Sequence, residues 1–249
     1  MWPRDVFKRW QGIALSLVAV VATVWLAASG QLGLYIHPRY FVFTVVMAAL
    51  GLVFVVAGFT RAGTPKAKHG GGWRIGLSAI GALVLGVLAV GVIAVPPATL
   101  TSATVVQRDI NAGGLSSPGD TEQAAALVGT GDFERLGVKD WVSLLAQSSD
   151  PAFYADKTAR VVGFISPDAQ DPDNVFYVAR FVVTCCAVDA QPIGVPVYLP
   201  DWKAQYEKDE WVQVTGTLSV NPSAGSTAPL ALQPSDILSV EQPSDPYVY

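Results

Sequence analysis

The sequence predicts a membrane-anchored protein, with three N-terminal transmembrane α-helices followed by a small, mainly β domain. The chain is 51% hydrophobic but only 14% charged, whereas soluble domains usually carry about 25% charged residues. Its long apolar stretches all precede residue 98. After residue 158 the pattern changes to short β-branched and aromatic runs separated by Pro, Gly and Asp, which is typical of strands joined by turns.

Three apolar stretches, at about 12–36, 40–60 and 75–95, contain no acidic or basic residue. Each has the roughly 20 apolar residues that a helix needs to cross a bilayer. The first stretch could instead belong to a cleaved signal peptide, since residues 27–29 are small, but its continuation to Ile36 favours an uncleaved span. We therefore expect residues 1–97 to form a transmembrane region.

The distribution of charge predicts how the chain is threaded. Residues 1–97 hold eight of the 16 basic residues and one of the 20 acidic residues. Most of these bases lie in the N-terminus and between the second and third spans, and basic loops stay on the cytoplasmic side. The N-terminus is thus predicted inside the plasma membrane and the C-terminal domain outside. That domain is acidic, which argues against nucleic acid as a partner.

The predicted spans lack the ionisable groups that transport pathways usually place within the membrane. In the third span, Ser78, Ala82 and Gly86 recur every four residues and therefore share one helix face. A stripe of small residues lets another helix pack closely. It could seat a larger multi-span partner or pack against the chain's own spans.

Residues 98–131 are rich in Pro, Gly, Ser, Thr and Ala and show no sustained period. Such a composition predicts a flexible linker. The domain that follows, residues 132–249, starts with a predicted short helix at 138–147. Trp141, Leu144 and Leu145 share one face of that helix.

Five strands are predicted in this extracytoplasmic domain, with a short helical segment between the third and fourth. This order is that of an OB-like barrel, and a small sandwich is the alternative. Gly163 and Gly216 fall within strands, where barrels bend or bulge. The strands are predicted at 159–165, 174–184, 194–200, 210–220 and 237–240.

Cys185 and Cys186, the only cysteines, end the second predicted strand. Because side chains alternate along a strand, both thiols share a face only if the backbone turns there. Three hypotheses stay open: one cysteine is a small buried structural residue and the other is incidental, the pair forms a strained vicinal disulfide, or the thiolates bind zinc or copper(I). In the last case Asp189 adds a ligand, and His37 could join from a loop on the same side of the membrane.

Other candidate sites are weaker. Asp168, Asp171 and Asp173 lie in "DAQDPDN", which lacks the glycine and the distal Glu of a calcium loop, so a solvated turn is favoured. His37 and His69, the only histidines, are predicted on opposite sides of the membrane. The outer domain therefore has no histidine for acid–base catalysis, and we expect a protein that is not an enzyme and has no catalytic residues.

Five segments of the chain occur in a characteristic order: "LYIHPR", "VPPATL", "DWVSLL", "VVGFI" and "FVVTCCAVDAQPIGVPV". With the last as the most specific part, this set resembles the YcgQ-like family of permease-associated membrane proteins. The resemblance implies an accessory subunit of a larger permease and a loose link to zinc homeostasis. Its motif corresponds here to Cys185, Cys186, Asp189 and Pro192. Many members have a His-rich loop between the second and third spans, where this chain has only His69.

Taken together, these patterns predict an accessory or binding subunit of a membrane permease. Its extracytoplasmic β domain would present the Cys-Cys segment, with zinc as the expected metal. The alternative is a stand-alone, membrane-anchored module on the outer surface that binds metal or undergoes thiol redox chemistry.

Overall fold

The computed structural model describes residues 4–61, 91, 99–112, 129 and 131–249. The chain divides into two compact units between Ala98 and Thr99. Among the described residues, those of the first unit are mainly helical, and the second unit contains the β domain.

The described part of the helical unit consists of α1 (Arg4–Ala28) and α2 (Phe41–Arg61). Helix α1 ends where Gly30 adopts a left-handed conformation with φ +73°, which glycine reaches without steric cost. Two short 3₁₀ turns then reverse the chain. Helix α2 passes close to α1 at Gly51, where a Cβ atom would lie 3.2 Å from Cγ2 of Val20.

The prediction of three transmembrane helices is not supported by the described residues. Among them, one helix, Pro38–Ala57, is long and apolar enough to cross a membrane. The first predicted span, 12–36, extends beyond the end of α1 at Ala28. Within α1, the described residues include the shorter apolar helix Leu15–Ala28. The third predicted span, 75–95, lies outside the described residues except for Gly91.

The second unit begins with residues 99–112, called here the leading segment, which contains α3 (Ser102–Val105). Two further helices precede the strands: α4 (Val138–Gln147) and α5 (Pro151–Tyr154). Helix α4 has the predicted bounds, and it buries Trp141 completely in the core of the domain. The predicted apolar face of this helix is therefore confirmed.

Six strands form one sheet in the order β1-β4-β5-β3-β2-β6. Strand β1 also pairs with β2, so the sheet closes on itself. A mainly β C-terminal domain is therefore confirmed. The strands are β1 (Thr158–Pro167), β2 (Val175–Val182), β3 (Gln191–Tyr198), β4 (Trp211–Val220), β5 (Leu230–Ser239) and β6 (Tyr247–Val248).

Two glycines allow the strands to approach closely enough for closure. A Cβ atom at Gly163 would lie 2.4 Å from the carbonyl oxygen of Ala179, and one at Gly216 would lie 2.1 Å from that of Gln233. Both distances are shorter than any contact that a side chain tolerates, so only glycine fits. Gly216 also adjoins a register shift between β4 and β5, as expected for a bulge.

Strand β5 is longer than the predicted 237–240, because it begins at Leu230 and passes through Pro234. Pro234 pairs with Gly216 at the register shift, a place where a strand tolerates proline. Between β3 and β4, the predicted helical segment is the 3₁₀ turn Trp202–Ala204. Trp202 is buried there, 5.3 Å from the ring of Phe176.

The leading segment lies within the predicted linker, 98–131, yet it is hydrogen-bonded to the β domain. The amide of Ser102 donates to Oδ1 of Asp209 at 2.7 Å, and the amide of Leu100 donates to the hydroxyl of Tyr247 at 3.2 Å. Residues 113–128 and 130 lie outside the described residues. Backbone amides on the leading segment thus have partners on the domain, and the flexible linker at 98–131 stays a prediction.

Candidate metal centre

The two cysteines lie in the turn of the β2–β3 hairpin, residues 183–190, called here the cysteine loop. The strands flanking it are in register, with Val182 opposite Gln191. At its start, the amide of Val183 donates to the carbonyl oxygen of Val248 at 3.0 Å. Near its end the chain forms the 3₁₀ turn Ala187–Asp189. The backbone thus turns at the cysteines, as a shared face for the two thiols requires.

Asp189 organises this loop through its carboxylate. Its Oδ1 accepts a hydrogen bond from the amide of Thr184 at 3.1 Å, and its Oδ2 accepts one from the amide of Cys185 at 2.7 Å. A carboxylate has about four acceptor positions. Two are used by these amides, so the same group can still accept from a thiol or bind a cation.

The thiols of Cys185 and Cys186 are free, with their sulfur atoms 3.6 Å apart. Cys185 is exposed and Cys186 is half-buried. Neither thiol is therefore a buried structural residue, and the sulfur separation far exceeds the roughly 2.05 Å of a disulfide bond. The ligand atoms of these two residues and Asp189 all lie within 4.8 Å of one another.

The electrostatics of the loop keep the Cys185 thiol protonated and the Asp189 carboxylate negatively charged. The pKa of Cys185 is raised to about 12, first because its thiol donates to the Asp189 carboxylate and then because of Cys186, burial and the Asp189 charge. Burial alone would raise the pKa of Asp189, but hydrogen bonds from Cys185, Thr184 and Cys186 together lower it. A cation entering the site must therefore displace the proton of Cys185.

The separation of the sulfur atoms suits a tetrahedral metal ion. Two Zn–S bonds of about 2.3 Å at a tetrahedral angle place the sulfurs about 3.8 Å apart. The observed 3.6 Å differs little from this value. Three protein ligands leave the fourth position open, as in sites that exchange ligands.

The other predicted site residues belong to the first unit of the chain. His37 belongs to the helical unit, where its Nδ1 accepts a hydrogen bond from the amide of Arg39 at 3.1 Å. Its membership of the metal site stays a prediction. The small-residue stripe of Ser78, Ala82 and Gly86 lies outside the described residues.

In the acidic turn, which the sequence predicts to be solvated, Asp173 is exposed but Asp168 is not. Asp168 is only 2% exposed. Its Oδ1 accepts from the amides of Gln170 and Asp171 at 2.8 and 2.7 Å. Its Oδ2 accepts from the hydroxyl of Ser226 at 3.2 Å.

Asp171 contacts the β4–β5 loop, which also contains Ser226. It accepts a hydrogen bond from the hydroxyl of Ser223 at 2.5 Å. That hydrogen bond is the main reason why the pKa of Asp171 is lowered, although burial opposes it and Asn174 and Asp173 add smaller effects. The two carboxylates thus hold the β1–β2 loop to the β4–β5 loop. Because their hydrogen bonds are made within the protein, we assign this pair a structural role.

One residue that contacts the cysteine loop is not predicted by any pattern in the sequence. Arg108, on the leading segment, donates from Nη2 to the carbonyl oxygen of Val188 at 2.8 Å and from Nη1 to that of Ala190. The only sign of this contact in the sequence is that Arg108 is a basic residue in a stretch with few charges. The composition around it predicts a linker instead.

Comparison with known proteins places the β domain in a family. Residues 135–249 match the family model described as the DUF1980 C-terminal domain, a family of uncharacterised proteins. The match begins just before α4 and includes all six strands and the cysteine loop. No curated protein matches the chain at a significant level. The chain therefore carries a DUF1980 C-terminal domain, and the finer resemblance to YcgQ-like proteins stays a prediction.

Proposed function

We propose that this protein is a membrane-anchored, metal-binding accessory subunit whose extracytoplasmic domain binds zinc at Cys185, Cys186 and Asp189. One observation carries the proposal: the ligand atoms of these three residues lie within 4.8 Å of one another in a single short loop. Thiolate and carboxylate donors in a tetrahedral arrangement are a normal zinc environment. The closed sheet that supports the loop fits an OB-like barrel, whose strands and connecting loops commonly carry binding sites.

The donor set favours zinc over copper(I). Both ions bind thiolates, but a carboxylate is a hard ligand that suits zinc and contributes little to copper(I). Asp189 is fixed beside the sulfurs by two backbone amides. The Asp189 carboxylate is therefore already ordered before a cation binds. This favours zinc, the harder cation, because copper(I) gains little from an oxygen ligand.

The openness of the site suits an ion that is passed on. Structural zinc sites usually have four protein ligands, whereas three leave a position for water or for a ligand from another molecule. Cys185 is exposed at the surface of the loop. A partner can therefore reach the cation by associative exchange, as an accessory subunit of a metal permease would require.

The helical unit supports anchoring in a membrane together with a larger partner. Along α2 the apolar side chains of Val42 and Phe54 are 77% and 74% exposed. Exposed apolar surface on this scale is stable when lipid or another apolar helix covers it. We propose a multi-span permease as that partner, with the stripe of Ser78, Ala82 and Gly86 as its packing face.

Metal titration of the full-length protein in detergent tests the proposed site. Co(II), a spectroscopic substitute for zinc, should give thiolate charge-transfer and visible bands that zinc then abolishes. Cys185→Ser and Cys186→Ser should each weaken zinc binding by at least tenfold, because each removes a thiolate ligand. Asp189→Asn should weaken zinc binding more than copper(I) binding. An unchanged zinc affinity in both cysteine variants would refute the proposed site.

A second candidate function is thiol redox exchange, favoured by the 3.6 Å between the two sulfurs. Transfer of two electrons and two protons to an external disulfide would oxidise the pair to a vicinal disulfide. Adjacent Cα atoms across a trans peptide are only about 3.8 Å apart, so that ring is strained and easily reduced. Titration against glutathione redox buffers, followed by mass spectrometry, separates this function from simple metal binding.

A further inference from the structure

The leading segment is connected to the cysteine loop by the side chain of Arg108. The two carbonyl oxygens to which Arg108 donates belong to Val188 and Ala190, which flank Asp189 on both sides. A guanidinium group is a planar fork with several donors. It can therefore hold both carbonyls at once and fix the peptide units on either side of Asp189.

The middle of the cysteine loop depends on such polar contacts, because the buried apolar residues of the loop lie at its two ends. The side chain of Val188 is 80% exposed, and Cys185 is exposed as well. Asp189 in turn holds the amides of Thr184 and Cys185. A continuous set of hydrogen bonds thus runs from Arg108, through the backbone around Asp189, to the first cysteine.

Contacts independent of Arg108 also hold the leading segment in place. The backbone amide of Asn111 donates to the carbonyl oxygen of Pro192 at 3.0 Å, and the Asn111 side chain makes two hydrogen bonds with the backbone of Gly194. A Cβ atom at Gly194 would lie 2.9 Å from Cδ1 of Ile110, so the segment packs closely here. Conservative replacement of Arg108 should therefore leave the segment attached while releasing the loop.

These contacts occupy the open edge of β3. Strand β3 pairs with β5 through a single residue pair, Val197 with Leu232. The backbone groups of Pro192 and Gly194 face Asn111 instead of a strand, and a proline is tolerated at such an edge because it lacks an N–H group. The leading segment thus completes the edge of the sheet next to the cysteine loop.

We propose that Arg108 is a positioning residue for the cation site, through which occupancy of that site and docking of the leading segment favour each other. This inference rests on the proposed zinc site. Linkage is reciprocal: if the docked segment favours zinc binding, bound zinc must favour the docked segment by the same factor. The leading segment follows the third predicted span in sequence. Zinc occupancy would therefore change the docking of the segment that connects the β domain to the predicted membrane region.

Hydrogen exchange and zinc affinity of the full-length protein in detergent test this inference. Arg108→Lys keeps the positive charge but cannot bind both carbonyls as a planar fork. Arg160→Lys is the matched control, since Arg160 is an exposed residue of β1 that pairs with Glu134 at 3.3 Å. Without metal, Arg108→Lys should speed exchange of the Thr184 and Cys185 amides at least fivefold, whereas Arg160→Lys should not.

With metal, the same two variants separate positioning from a general effect on stability. Zinc should slow amide exchange in residues 102–108 of the wild-type protein at least threefold, and this protection should be lost in Arg108→Lys. Arg108→Lys should also weaken zinc binding at least fivefold and change the visible spectrum of bound Co(II). Arg108→Ala should weaken binding further, so that lysine acts as a partial rescue.

The outcomes distinguish this inference from the proposed function. If the wild-type protein binds zinc and Arg108→Lys binds it equally well, the zinc site stands and the inference is overturned. If the wild-type protein binds no zinc, the proposed function and the linkage both fail. Unchanged exchange of the Thr184 and Cys185 amides in Arg108→Lys overturns the positioning role whatever the metal result.

Discussion

The Oδ2 atom of Asp189 lies 2.7 Å from the backbone nitrogen of Cys185. Through this bond an acidic side chain determines the shape of the loop that carries both thiols. The same carboxylate also sets the protonation of the first thiol, because the hydrogen bond between them is the main reason why the pKa of Cys185 is raised to about 12. Asp189 therefore influences both the structure and the reactivity of the site.

Asp189→Asn should make Cys185 more reactive in the metal-free protein. Without the carboxylate, the pKa of Cys185 should fall from about 12 toward its ordinary value of 9.0. Only the thiolate is nucleophilic, so alkylation by iodoacetamide near pH 8 should accelerate at least tenfold, even though a thiolate of lower pKa is intrinsically less reactive. The rate is measured in a Cys186→Ser background, where Cys185 is the only thiol.

Asp236→Asn provides the control for that experiment, because Asp236 is an exposed acidic residue on β5. It removes the same charge and should leave the alkylation rate unchanged. If Asp189→Asn and Asp236→Asn alkylate at the same rate as the parent protein, Asp189 does not control the thiol.

Zinc should bind more tightly as pH rises. Because the pKa of Cys185 lies near 12, this thiol is protonated throughout the neutral range and loses its proton to bind zinc. The dissociation constant should then fall at least about tenfold for each pH unit. Asp189 has a lowered pKa and is already ionised, so it adds nothing to this slope. Competition with a chelator at about pH 6.5, 7.5 and 8.5 measures the slope.

Cys185→Ser should remove this part of the pH dependence, and a pH indicator should show that zinc binding to the wild-type protein releases protons. An affinity independent of pH over this range would mean that zinc is held by groups other than the Cys185 thiol.

Periodic elements could be predicted from the sequence, because burial on one face leaves a repeating pattern. Helix α4 has the predicted bounds, and the four strands from β1 to β4 lie within a few residues of their predicted positions. Strand β5 was mostly missed because its first half includes Pro234, which normally argues against a strand. The proline is accommodated at a register shift, a tertiary feature without a local signal.

The candidate site was predicted only in part, for a related reason. Adjacent cysteines and a nearby acid are visible in the sequence, but Arg108 contacts backbone carbonyls about 80 residues away along the chain. A hydrogen bond from a side chain to a distant part of the backbone produces no periodic pattern in the amino-acid sequence. For Asp168 the sequence likewise predicts a solvated residue, since its partner Ser226 is 58 residues away.

Asp168→Ala should destabilise the β domain by about 3 kcal/mol, because it leaves two amides and a hydroxyl without their buried acceptor. The buried hydroxyl of Tyr177 also faces this carboxylate, and its pKa is raised first by burial and then by the charge and hydrogen bond of Asp168. Thermal unfolding of the full-length protein, followed by near-ultraviolet circular dichroism, measures the loss.

Asp173→Ala is the matched control from the same turn. Asp173 forms an ion pair with Lys203 at 2.7 Å, but both side chains are largely exposed. Exposed pairs contribute less than about 1 kcal/mol. Equal losses for Asp168→Ala and Asp173→Ala would show that the two loops are not held together by the buried carboxylate.

Gly216→Ala should destabilise the barrel by about 3 kcal/mol or more without altering the chemistry of the cysteine loop. The new Cβ atom would lie 2.1 Å from the backbone oxygen of Gln233, so β4 and β5 must separate at the register shift. Gly137→Ala is the control, because its Cβ atom would meet only Oδ2 of Asp140 at 3.6 Å. Because Gly137 is the N-cap residue of α4, Gly137→Ala should destabilise the domain by less than about 1 kcal/mol.

Both glycine variants should bind zinc with wild-type affinity at temperatures well below their melting transitions. The bulge next to Gly216 lies between β4 and β5, whereas the cysteine loop joins β2 to β3, so a folded variant keeps its three ligands in place. Thermal unfolding and zinc competition on the same preparations measure the two effects separately. Should Gly216→Ala melt no earlier than Gly137→Ala, close strand approach at Gly216 would not be what closes the sheet.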